Sequence, residues 1–325
     1  MRFVKKIKLY SRIYFSYFFG LFKIDFKKNK INIINYHNFY CNKKIENEMF
    51  IDKEIFISQM QYFKKYCNLI NINDLYNNIS NKNNNLLLTI DDGDDSILLI
   101  EDIINELNIH LNLFLPIGLM LEDNNIDLYR SRCLHHIFNI NKFQKKNINL
   151  EKFFKKIFTF KFEKIKKFEK FLSKKNKNKD YVIKRKKIDF SKLKRLSQNN
   201  NFVLGSHSMS HVNLKDIPSN WLNWEIKKSL EYIDSINGNN KIFSIPYGHK
   251  NSFNNQVIDF LSNHNIKYIF TSLNIMNTPH NNYYGRIYIL NSKNSYYLKG
   301  LILNSMFFYE KLISIIKNLF FFTSK

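Results

Sequence analysis

Short apolar runs rich in β-branched and aromatic residues recur along the chain at Ile31 to Tyr36, Leu86 to Ile90, Leu111 to Pro116, Phe202 to Gly205, Ile242 to Ile245 and Tyr268 to Thr271. Each run is continuous rather than alternating, which predicts strands buried on both faces. Between them, apolar residues return every three or four positions over Ile55 to Tyr66, Ser96 to Leu107, Trp221 to Ile236 and Asn254 to His264. That is the period of a helix with one packed face. Strand and helix alternate, so the plan is α/β with parallel strands. Polar loops at Asn81 to Asn85 and Asn199 to Asn201 deliver the chain into the strand that follows each.

The rhythm stops from about Leu121 to Asn200, where no clear strand occurs and lysine dominates. This stretch reads as an insertion. Within it Phe154, Phe158, Ile165, Phe168 and Leu172 approximate one helical stripe, with lysines on the other faces. Composition sharpens the point, because the formal charge of +24 is unevenly spread. Between Lys142 and Arg195 stand 22 Lys and Arg against 5 acids, a net of +17 that leaves +7 for the rest. The plainest role for the stripe is an amphipathic helix packed by its Phe side; an anionic surface, lipid or polymer, is the next. No recognition motif accompanies the charge, so no specific nucleic-acid partner is expected.

A chain of 325 residues with 44% hydrophobic composition excludes both a disordered polymer and a small disulfide-stapled scaffold. Cys41, Cys67 and Cys133 are odd in number and widely spaced, which suits a reducing compartment better than a disulfide framework or a zinc knuckle. The basic N-terminus runs into the aromatic stretch Ile13 to Phe22 without a small-residue cleavage site. The uncharged run Gly300 to Tyr309 is far short of a bilayer span. These features lead us to expect a cytoplasmic protein that touches the inner membrane face through its N-terminus, its Lys-rich insertion or the stripe from Leu301 to Phe322. An oligomeric state is not written in the sequence.

Chemistry concentrates at four strand ends. Leu86-Leu87-Leu88-Thr89-Ile90-Asp91-Asp92-Gly93 sets adjacent carboxylates at the end of an apolar strand, with a glycine that permits a sharp turn. Alternating side chains point apart, so one carboxylate can hold a cation while its neighbour serves as a base; a solvated acidic turn is the alternative, since Asp94 and Asp95 follow. Gly205-Ser206-His207-Ser208-Met209-Ser210-His211 spaces two imidazoles at i and i+4, one face of a helical turn. Two His and one Asp satisfy a catalytic zinc site with an open position, while capping or surface histidines satisfy the spacing equally. Phe243-Ser244-Ile245-Pro246-Tyr247-Gly248 ends a third strand in a turn, and Ile33-Ile34-Asn35-Tyr36-His37 ends the first on a histidine.

All four fall at the carboxyl ends of parallel strands, where α/β barrels gather active sites. Together they resemble the polysaccharide deacetylase family, carbohydrate esterase family 4: Thr89 to Gly93 is similar to its first motif, His207 to His211 to its second, and Ser244 to Tyr247 to most of its third. Tyr36-His37, Ile57 to Phe63 and Arg286-Ile287 resemble the subgroup that opens with a Tyr-His strand. The likeness runs from about Ile31 to Leu290. It implies a distorted (β/α) barrel of about seven strands (residues 31–290, with the insertion at about 121–200), flanked by a basic aromatic segment (1–30) and an apolar helical one (291–325). It also implies a divalent cation, usually zinc, held by Asp92, His207 and His211, with Asp91 as base and an N-acetylated glycan as substrate. Pro246, Tyr247 and Arg286 are the expected substrate-contacting residues.

Two positions depart from the family pattern. Ser244 stands where the third motif usually begins with an Arg that orients the base, a role Arg286 is expected to take. No Leu-x-His follows near the C-terminus, so the general acid must be another group; His37 is the candidate and His280 the reserve. A glycan- or membrane-binding protein without turnover, and a hydrolase of another C–N bond, remain open at this point.

Overall fold

The computed structural model describes residues 2–21, 31–42, 49–75, 84–143, 148–176 and 186–322. In chain order its first elements are α1 (Arg2–Leu21), β1 (Ile31–Tyr36), β2 (Asn38–Tyr40), β3 (Phe50–Asp52), α2 (Lys53–Tyr66), β4 (Cys67–Leu69), β5 (Asn84–Asp91), α3 (Glu101–Glu106) and β6 (Leu111–Leu115). Then come α4 (Ile126–Phe143), α5 (Leu150–Thr159), α6 (Phe162–Lys175), α7 (Phe190–Ser197) and β7 (Phe202–Ser206). A helix follows in three pieces, α8 (Ser219–Asn223), a π-helical turn (Trp224–Lys228) and α9 (Ser229–Ser235). The chain ends through β8 (Ile242–Ser244), α10 (Asn255–Asn263), β9 (Tyr268–Thr271), β10 (Tyr284–Gly285), β11 (Ile287–Tyr288), α11 (Ser295–Ile302) and α12 (Ser305–Phe322).

The six predicted strands are all present, shifted by two residues at most. The expected loop at Asn81 to Asn85 differs: Asn84 and Asn85 already belong to β5, and 81–83 lie outside the described residues. The helix expected over Ser96 to Leu107 begins as a 3-10 segment, Asp95–Ile100, before α3.

The chain forms two compact units: Met1–Thr89, Leu99–His110 and Ser272–Lys325 make the first, Ile90–Leu98 and Leu111–Thr271 the second. In the first unit β1 pairs in parallel with β11, β4 with β5 and β2 with β3. Every residue of β1 is buried, including the two asparagines that interrupt its apolar run; Asn32 donates to the Ile302 carbonyl and Asn35 accepts from Thr89. Asp52 caps α2 by accepting the Glu54 N–H, and Gln59 on that helix accepts the Tyr36 hydroxyl while donating to the Leu290 carbonyl. Among the described residues, no helix is long and apolar enough to cross a membrane.

In the second unit β6, β7, β8 and β9 form a parallel ladder. Leu115 pairs with Ser206, Ser206 with Phe243 and Ser244 with Phe270, which brings the carboxyl ends of these strands level. The core between them is Leu113, Phe114, Leu204, Phe243 and Phe270, all essentially inaccessible. The lysine-rich stripe is not one helix. Phe160 and Lys161 are both extended, so α5 ends and α6 restarts on its own N-cap. Phe160 buries itself at this break and meets Phe168 edge to face at 5.5 Å, while Phe154 stacks on Trp221 at 5.9 Å. The Phe side does pack inward, as the amphipathic pattern predicts, but through two short helices.

Candidate metal centre

β5 ends at Asp91, and the chain turns at once through Asp92 (φ +74°) and Gly93 (φ +60°). A side chain at Gly93 would run into Met120, so the turn needs glycine for space as well as for conformation. The insertion returns here: Lys187 Nζ donates to the Asp92 carbonyl at 2.7 Å, Ile188 N–H to the Gly93 carbonyl, and Asp95 N–H to the Lys186 carbonyl. Asp91, Asp92 and Asp94 are all buried. The solvated acidic turn that the sequence left open is therefore not what forms.

β7 leads directly into His207. Its Nδ1–H donates to the Ser244 carbonyl at 2.7 Å, which fixes the ring and leaves Nε2 as the free lone pair. That nitrogen lies 3.8 Å from Asp92 Oδ1 and 3.8 Å from Asp91 Oδ2, and His211 Nε2 lies 3.3 Å from Asp92 Oδ1. One donor atom each from Asp92, His207 and His211 falls within 4.8 Å of the others, and all three residues are buried. Burial pushes the His207 imidazole down to about 4 against the pull of Asp91, so at neutral pH it is the uncharged form that a metal requires. His211 Nδ1 is buried with no hydrogen-bond partner among the described residues. Two imidazoles and a carboxylate converging among buried residues are a donor set that fits a divalent transition metal.

The i, i+4 spacing does not act through a helical turn, as the sequence suggests. Residues 207–211 form an irregular loop in which Ser208 (φ +68°) and His211 (φ +52°) are left-handed. The reason is Glu225, buried on the π-helical turn. Its Oε2 accepts the Met209 N–H at 3.0 Å and the Ser210 N–H at 2.9 Å, while Oε1 accepts the Trp221 indole N–H at 2.8 Å and the Ser210 hydroxyl. Four donors on one carboxylate hold backbone that no regular ladder would satisfy. Burial holds Glu225 above its ordinary value, while the bonds from Ser210 and Trp221 pull the other way. From α4, His135 Nδ1 lies 2.6 Å from the Ser210 carbonyl and clamps the loop from another side. Sequence reasoning missed both residues: a Glu on a helical stripe and a His pair in a helix carry no motif spacing.

Backbone strain marks the same place. Among the described non-glycine residues, positive φ occurs at five asparagines, which tolerate it, and at Asp92, Ser208, His211 and Tyr247, which do so rarely. All four of the latter belong to the second unit's strand-end loops around the two imidazoles. Each costs roughly 1–3 kcal/mol and persists only where surrounding bonds enforce it, the usual mark of a functional site. Tyr247 follows buried Pro246, is about one-third exposed, and its ring centroid is 4.9 Å from that of His211. Thus Asp91, Asp92, His207, His211, Pro246 and Tyr247 are gathered in the second unit. His37 and Arg286 belong to the first unit. The His37 ring sits 5.6 Å from Tyr288, and buried Arg286 donates to Asn35 Oδ1 at 3.1 Å and Thr89 Oγ1 at 3.4 Å. His280, also in the first unit, is exposed.

Parallel strands ending in strained loops around a His-His-Asp donor set are the arrangement that the resemblance in the sequence leads one to expect. Residues 163–269, about a third of the chain, match the model of the polysaccharide deacetylase family. The match includes His207, His211 and Ser244 to Tyr247, and begins after Asp91 and Asp92. Solved structures share the fold. The Streptococcus pyogenes deacetylase PplD, in complex with acetate, superposes with TM-score 0.58 at 15% identity over 85% of this chain and 99% of its own. IcaB from Ammonifex degensii gives 0.57 at 12% identity over 86% and 98%, and a polysaccharide deacetylase from Bacillus cereus 0.56 at 14% over 85% and 69%. The fold class is the expected distorted (β/α) barrel. No curated protein matches the chain by sequence.

Proposed function

We propose that this protein is a metal-dependent de-N-acetylase acting on a bacterial cell-envelope glycan or its lipid-linked precursor, with Asp92, His207 and His211 holding the cation. The observation that carries the proposal is the convergence of those three donors, from two distant segments, beside a second buried carboxylate. When bound, the cation lowers the pKa of a water and polarises the acetamide carbonyl. Asp91 receives the proton of the attacking water, and its position within 3.8 Å of His207 Nε2 keeps it close to that event. The Tyr247 N–H, turned by a left-handed backbone, is offered to the oxyanion that develops; one such donor is typically worth about 3 kcal/mol. The departing amine needs a proton, which an imidazole can supply near neutral pH. Tyr247, about one-third exposed, is the substrate-facing residue of this unit. Acetate, the product this chemistry releases, is the molecule held in the PplD structure.

Ser244 does not weaken the reading. It lacks the side chain the family places there, yet its backbone carbonyl is what orients His207. The test is acetate release from N-acetylglucosamine oligomers after chelation and after zinc is restored. Zinc-dependent release is expected, and Asp91→Asn should lower it by roughly 10²- to 10⁴-fold while zinc binding is retained. Release that survives chelation, or an Asp91→Asn enzyme of full activity, would overturn the assignment.

A further inference from the structure

Helix α1 presents its apolar side outward. Its orientation in the first unit is fixed by backbone contact: a Cβ on Gly20 would strike the Tyr296 carbonyl, and one on Gly300 the Ser16 carbonyl, so α1 and α11 touch along their glycines. Ser16 bonds to the Ser305 hydroxyl and Ser11 to the Tyr309 hydroxyl, which seats α12 alongside. Away from these contacts lie Tyr14, Tyr17, Phe18 and Leu21, spaced i, i+3, i+4, i+7 and exposed by 68%, 37%, 58% and 47%. Tyr296 of α11, 45% exposed, meets Tyr17 edge to face at 5.4 Å and widens the band. A helix serving only the core would show this side polar.

The helix is also basic in sequence, with Arg2, Lys5, Lys6 and Lys8, besides Arg12, which pairs with Glu310 of α12 at 3.2 Å, and not one Asp or Glu from Arg2 to Leu21. A second copy docking along this helix would bring two helices of the same net positive charge together, which opposes association. Phospholipid head groups offer the opposite charge, and tyrosine-rich apolar bands suit the zone between head groups and acyl chains. The length and hydropathy of α1 do not allow it to span. We infer that α1, with Tyr296, lies flat on an anionic lipid bilayer, inserting Tyr14, Tyr17, Phe18 and Leu21, with the net positive charge of the helix drawing it to the head groups. This surface is independent of the metal centre and of the deacetylase assignment.

The test is sedimentation of the full chain with phosphatidylcholine vesicles with and without phosphatidylglycerol, across a salt series. Binding is expected only with phosphatidylglycerol, falling as salt rises. Replacing Tyr14→Ser together with Phe18→Ser should weaken it by roughly tenfold or more, with the melting temperature and acetate release from soluble oligomers unchanged. Phe18→Trp should show a blue-shifted emission on vesicle addition, a readout that needs no deletion of apolar surface. Failure to sediment at low salt, binding that ignores lipid charge, or an undiminished Tyr14→Ser/Phe18→Ser variant would overturn the inference. So would a dimer in analytical ultracentrifugation that the double variant splits, since the face would then belong to a second copy.

Discussion

A histidine that is to hold a cation must be neutral, and in this protein burial does that work for His207. Its folded pKa of about 4 lies below the 6.5 of an exposed histidine. As pH falls below 6.5 the unfolded chain takes up the proton first, so the metal-free protein loses stability progressively down to about pH 4, by roughly 3 kcal/mol at most. Urea midpoints of metal-free protein at neutral and mildly acid pH check this. The control is His207→Asn, whose side-chain amide still donates to the Ser244 carbonyl but does not titrate; its pH slope should be flatter. Equal slopes would remove His207 as the source. At this scale the sequence was legible where function rests on side-chain identity, as at Asp92, His207 and His211. It was silent where function rests on a backbone atom: nothing in the serine at 244 announces that its carbonyl holds a ring.

The elements explain why residues that the structure does bring together were given the wrong local conformation. Continuous apolar runs sealed on both faces could hardly be anything but strands, and β1, β6 and β9 form where their patterns place them. The two- and three-residue strands β2, β3, β10 and β11 were invisible, because so few positions have no period. The break at Phe160 and Lys161 was equally hidden, since the apolar spacing continues across it. The His-x-x-x-His loop failed as a helical turn because its geometry comes from outside, from a carboxylate on a π-helical turn that captures two consecutive N–H groups. Positioning at this level should appear in metal affinity. Glu225→Gln keeps the size but turns an acceptor into a donor facing N–H groups, and is expected to raise the zinc dissociation constant by roughly 10- to 100-fold in calorimetric titration. Ser210→Ala, which removes one of the four donors and leaves the carboxylate, should cost less. Zinc binding by Glu225→Gln equal to that of the parent would show that the loop holds its shape without the carboxylate.

For the whole molecule the decisive feature is that every donor of the proposed metal belongs to one unit, although Asp92 and the two imidazoles are far apart in sequence. An unfolded chain cannot gather them, so zinc is expected to bind only the folded second unit and to stabilise it by mass action, about 2.7 kcal/mol at a free concentration one hundred times the dissociation constant. A unit of this size gains roughly 2–4 °C in melting temperature per kcal/mol, so a rise of roughly 5–10 °C is expected on adding zinc to chelated protein, and none for His211→Ala. Hydrogen exchange locates the effect: amides of Ile90–Leu98 and of residues 202–211 should slow on zinc addition, while those of α11 and α12 in the first unit should change little. The order of these results matters. A melting shift without slowed exchange around Asp92 and His207 would mean that zinc binds at another of the chain's nine histidines or its carboxylates, whereas slowed exchange that His211→Ala abolishes ties the cation to the three buried donors.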